Sequence, residues 1–196
     1  VDVEQLLGNF KEDLGNQELS EAELVERHIL FGTPYLFNAN EQLYFELKRE
    51  IANKFTLSTT QIVVVGSAKL GFSIAPTKLW RTVNDESDID AVIISEELFD
   101  HFWKQLHTFN INLTSRSFTE DKLYRNFLDY FFKGWIRPDK FPFSYPFKQE
   151  WFDFFGSISY KKYDKRKVTG AVFKNEYFFK QYHEANLRKL RAGGFR

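Results

Sequence analysis

Two short runs constrain this chain most: "TTQIVVVG" at 59–66 and "SDIDAVIIS" at 87–95. Both are apolar and β-branched, and both are too short for a buried helix, so they read as buried strands. Helical patterns surround them. "SEAELVERHILF" opens with Ser20 and carries Glu23 three residues on, the pattern of a capping box. "NEQLYFELKREIANKF" repeats Leu43, Leu47, Ile51 and Phe55 at helical spacing, and "EELFDHFWKQLHTF" does so with Leu98, Phe102 and Leu106. "NEYFFKQYHEANLRKLR" reads as a closing helix with a basic end, and 119–133 as another helix; 148–163 fits either a helix or a strand. The expected class is α+β: a small mixed sheet with flanking helices. The expected division is an N-terminal helical segment, 1–57, packed on a core of 58–196.

The composition supports a packed core. Hydrophobic residues make up 43% of the 196 residues, with 23 phenylalanines, which is too apolar for a disordered chain. No apolar run approaches the length of a bilayer span, and no secretory signal opens the chain. There is no cysteine, which excludes disulfides and thiolate metal sites and fits a cytoplasmic location. There is no methionine either, so the initiator is removed or the chain is a fragment. The net charge is zero but unevenly placed: residues 1–60 hold 11 acids and 5 bases, whereas 157–196 hold 3 acids and 11 bases. That basic end, with Lys161, Lys162, Lys165, Arg166 and Lys167, suits either a solvated surface or contact with a polyanion such as RNA.

The chemistry concentrates at the ends of the two strands. Asp88 and Asp90 are two apart, so on a strand both carboxylates share a face while Ile89 points the other way. Side-by-side carboxylates repel unless a positive charge lies between them, and magnesium, a hard cation with oxygen ligands, suits that place. The other strand ends in Gly66-Ser67. A glycine there allows backbone amides to approach an anion, and Ser67 adds a hydroxyl. Lys69 and Gly71 follow, one a charge for a phosphate tail and the other a second turn beneath it.

In this order, "GSAKLGFS…SDIDAVI" resembles the active-site signature of the DNA-polymerase-β-like nucleotidyltransferase superfamily, over roughly a quarter of the chain. The resemblance implies a minimal, bacterial-type nucleotidyltransferase. It implies Mg²⁺ (or Mn²⁺) on Asp88 and Asp90, and a nucleoside triphosphate with its phosphates on Gly66 and Ser67. It further implies transfer of a nucleoside monophosphate to the hydroxyl of a nucleotide, an RNA or a protein partner. Small stand-alone relatives occur in toxin–antitoxin and phage-defence settings. Two departures stand out. The spacing from Ser67 to Asp88 is long, so "IAPTKLWRTVNDE" reads as an insertion, a lid or a surface decoration. Active members also carry a third acid on a later strand. Asp153 is the first candidate for it, as a third catalytic residue, followed by Asp129, Asp139 and Glu150. If none fits, the alternative is a degenerate module that binds nucleotide or RNA as a sensor or assembly partner.

Other signals are weaker. His101 and His107 are six apart, which does not place them on one helical face, and His28 and His183 are isolated. No Gly-x-Ser-x-Gly elbow or Walker-type loop is present. "GWIRPDKFPFSYPF" reads as a loop packed by its own rings. The aromatic density from Trp135 to Phe155 points to core rather than to a base-stacking surface.

Overall fold

The computed structural model of the chain describes residues 2–193 and is of the α+β class. Four strands form one mixed sheet: β1 (Ile62–Val65), β2 (Ile89–Ile94), β3 (Trp135–Ile136) and β4 (Val168–Phe173), in the order β1-β2-β4-β3. β1 runs antiparallel to β2, β2 parallel to β4, and β3 antiparallel to β4. The two strands expected from sequence are β1 and β2. β4 is "VTGAVF", and its central glycine masks the strand pattern. That glycine serves close packing: a Cβ on Gly170 would fall 2.2 Å from Phe155 and 2.6 Å from Trp151.

The sheet is covered on both faces. The alternation of strand side chains assigns each residue to one of them. Ile62, Val64, Ile89, Ala91, Ile93, Ile136, Val168 and Val172 join the larger core. There they meet α3 (Glu41–Phe55), α5 (Glu96–Asn112), α6 (Phe118–Phe132) and α7 (Pro146–Ile158) through Leu47, Ile51, Phe99, Phe102, Phe127, Trp151 and Phe155. The aromatic density of 135–155 is mostly this core. Phe141, for example, is fully buried and packs edge-on against Phe109 and Phe127.

Val65, Val92, Ala171 and Phe173 face the other way. They meet α1 (Val3–Gly15), α2 (Glu21–Leu24) with the π-helical turn Val25–Leu30 that continues it, and α8 (Glu176–Ala192). The Ser20–Glu23 capping box starts α2, with Ser20 N–H donating to Glu23 Oε2 at 2.8 Å. Arg191 of α8 locks this layer: its guanidinium donates to Leu14, Asn16 and Leu19 carbonyls and pairs with Glu21 at 2.8 Å. The first 57 residues therefore serve both faces, α1 and α2 on one and α3 on the other. No described helix is long and apolar enough to cross a membrane.

Candidate functional site

The site lies on the face shared with α8, at the end of β1 and the start of β2. Val65 is opposite Asp90, and Asp90 is beside Thr169 of β4, so these three form one row across the sheet. Asp88 precedes β2 on the same face, two residues from Asp90. A cavity of about 760 Å³ opens over this row. Its wall includes Gly66, Ser67, Asp88, Asp90, Arg137 and Thr169. That volume is within the range of small-molecule sites.

Gly66 begins α4 (Gly66–Leu70), and its φ of +68° is in the left-handed region. A Cβ there would lie 3.0 Å from Asp90 Oδ2, so the glycine turn and the carboxylate are in direct contact. The other carboxylate oxygen, Oδ1, accepts a hydrogen bond from Thr169 Oγ1 at 2.6 Å. Burial weakens the acidity of Asp90; the Thr169 bond and Arg137 oppose that effect, the neighbouring Asp88 charge reinforces it, and Lys167 opposes it. Arg166 fixes the approach to Asp88. This guanidinium, 8% exposed, donates through Nη1 to the carbonyls of Asn84 and Ser87, the latter at 3.0 Å.

Several expected roles move. Lys69 lines the cavity, but its ammonium is engaged: it donates to the carbonyls of Phe31 at 2.5 Å and Gly32 at 2.6 Å, which follow the π-helical turn. Burial lowers its pKa to about 8. Gly71 lies outside the cavity wall and caps α4 with a φ of +87° against Val3 and Tyr35. Asp153 is on α7, where its carboxylate is exposed and accepts from Gln149 at 2.8 Å. The physical reason is the spacing of Phe147, Trp151 and Phe155, which turns that stretch into a helix beneath the opposite face of the sheet. Asp129, Asp139 and Glu150 do not line the cavity either. The position beside Asp90 on β4 holds Thr169.

The long segment before Asp88 is ordered wall rather than decoration. Phe72 bridges Thr82, Ser73 exchanges backbone bonds with Trp80 and Arg81, and Lys78 and Arg81 line the cavity. Trp80 packs on Phe10 and Phe72, with Lys11 above its ring, and does not line the cavity. The basic run divides. Lys162 is tied to Glu50 at 2.5 Å and to Glu46, Arg166 is buried, and Lys161, Lys165 and Lys167 are exposed.

Sequence reasoning passed over four contributors. Thr169 carried no motif. Arg137 and Trp135 were hidden in an aromatic loop. His183, set aside as isolated, lines the cavity from α8 but packs against Phe179 and Phe173, and among the described residues its buried Nε2 has no hydrogen-bond partner. Burial lowers its pKa to about 4, so it is neutral at pH 7.

The chain matches no family model, no curated protein and no solved structure. What the site can do follows from its donors and its shape. Two carboxylates on one face repel each other, and a cation between them would relieve that repulsion. Their hard oxygens suit magnesium, and two protein ligands leave positions open for water and phosphate. Among the described residues there is no group of three or more His, Cys, Asp or Glu side chains placed to hold a metal ion.

Proposed function

We propose that the cavity takes a nucleoside triphosphate with magnesium, and that the protein transfers the nucleoside monophosphate to an acceptor hydroxyl. One observation carries this reading: the Gly66-Ser67 turn and the Asp88–Asp90 pair line the same cavity, with Gly66 against the Asp90 carboxylate. Asp88 and Asp90 would hold the metal, which when bound would neutralise phosphate charge. Gly66 and Ser67 would meet the β- and γ-phosphates with a backbone amide and a hydroxyl. Thr169 would keep Asp90 from rotating, and Arg166 would hold the turn that delivers Asp88. The acceptor oxygen would form its bond to the α-phosphorus as the bond to the β-phosphate oxygen breaks. Pyrophosphate leaves with that electron pair, and the acceptor proton passes to water at the cavity mouth.

A second reading has its own support. The neighbour of Asp90 on β4 is Thr169 rather than a carboxylate, so no acid at that position would activate the acceptor. A site of this kind can bind the triphosphate without turning it over. Product analysis with the four α-labelled ribonucleoside triphosphates, magnesium or manganese, and bulk RNA separates the two. Labelled product and pyrophosphate from the wild type, absent from Asp88→Ala/Asp90→Ala, supports transfer. Metal-dependent binding without product supports the second reading. No metal-dependent binding at all refutes both.

A further inference from the structure

The cavity has a cation at the edge of the sheet farthest from the glycine turn. Gly66 follows β1, the first strand in the sheet order, and Arg137 follows β3, the last. Three strand spacings separate the backbones of those two edge strands, about 14 Å. Trp135 belongs to the Asp90 face and Ile136 to the opposite one, so alternation returns Arg137 to the Asp90 face.

Arg137 is held in place. Its Nε donates to Asp139 Oδ1 at 3.1 Å and its Nη2 to Oδ2 at 2.8 Å, a two-point pair that fixes the guanidinium plane. The pair is largely shielded, with side chains 26% and 17% exposed. Among the described residues Nη1 has no partner, so its two N–H groups remain for a ligand. Arg137 also acts on the centre of the site, since its charge opposes the loss of acidity at both Asp90 and Tyr182. A planar guanidinium with free donors in a partly closed cavity selects a phosphate oxygen over a neutral group.

We propose that Arg137 forms a second anion subsite, distinct from the Gly66-Ser67 turn, which receives a phosphate carried by the acceptor. The acceptor class is then a nucleotide or a nucleic-acid end rather than the unmodified hydroxyl of a protein side chain. This rests on the triphosphate reading for its biological sense, but the subsite itself can be measured alone. The phosphates of a triphosphate on the Gly66-Ser67 turn would lie at the opposite edge of the sheet from Arg137, which leaves Arg137 to an anion of a second molecule.

The test titrates inorganic phosphate into the full chain and follows ³¹P line broadening, with and without a saturating magnesium complex of an α,β-methylene triphosphate. Phosphate is expected to bind in both conditions. Arg137→Gln is expected to weaken that phosphate site at least tenfold and to weaken triphosphate binding by a smaller factor. Arg137→Lys keeps the charge without the two-point pair and should fall between. Thermal unfolding of each variant separates lost binding from lost fold. If phosphate competes fully with the triphosphate, or if Arg137→Gln leaves phosphate binding unchanged, the second subsite is refuted. If the triphosphate fails to bind but phosphate binding depends on Arg137, the subsite stands and the proposed function falls. If neither ligand binds, both fall.

Discussion

Replacement of Gly66 by alanine tests the contact on which the site is built. Two costs can be worked out. The backbone at this position has a φ of +68°, and a non-glycine residue in the left-handed region costs about 1–2 kcal/mol. The new Cβ would then lie 3.0 Å from Asp90 Oδ2, closer than carbon and oxygen normally pack. The carboxylate can retreat only by stretching its 2.6 Å bond from Thr169 Oγ1. A hydrogen bond to a charged group contributes about 1.5–3 kcal/mol. The expected loss is therefore about 2–4 kcal/mol, with a melting temperature lower by roughly 4–16 °C for a chain of this size. Denaturant unfolding of the wild type, Gly66→Ala, Thr169→Val and the double variant would measure it. Thr169→Val frees the carboxylate, so Gly66→Ala should cost less in that background, by about 1 kcal/mol or more. A loss under about 0.5 kcal/mol, or strict additivity of the two changes, would refute the argument that the turn and the carboxylate are braced against each other.

Asp90→Asn should stabilise the metal-free protein at neutral pH, because burial makes the Asp90 charge costly while an amide oxygen can still accept from Thr169; equilibrium unfolding reads the sign. His183 should make the protein acid-sensitive. Its folded pKa of about 4 is below the unfolded value near 6.5, so its stabilising effect is complete above pH 6.5 and is lost as the pH falls toward 4. By pH 4.5 that loss amounts to about 2.5 kcal/mol, and a shallower acid limb in His183→Phe urea unfolding curves would check it. Lys69→Met should cost about 1–3 kcal/mol, because the Phe31 and Gly32 carbonyls lose their donor, and thermal unfolding would show it. Gly170→Ala should destabilise by about 1–3 kcal/mol through overpacking against Phe155 and Trp151, visible as a lower denaturant midpoint.

Much of the fold was legible where local pattern and tertiary demand agree. β1 is a continuous β-branched run and β2 is rich in such residues, and the capping box at Ser20 and Glu23 is a local geometry that survives in the folded chain. The pattern failed where one residue had two tasks. Gly170 lies in a strand because α7 presses Phe155 and Trp151 onto it, and a glycine in a short run reads as a break. Asp153 looked available to the site because its neighbours fit two periods, and burial of Phe147, Trp151 and Phe155 chose the helical one.

The sequence by itself determined the half of the site that lies within single strands. Alternation along one strand puts Asp88 and Asp90 on a common face, and glycine alone readily takes the backbone that Gly66 requires. Only the tertiary structure decided what surrounds them. The β2–β4 register placed Thr169 against Asp90, packing of the π-helical turn drew Lys69 to carbonyls, and the edge strand brought Arg137 to the cavity. Those relations join residues far apart in the chain, and strand order and register, which no local spacing records, fix them.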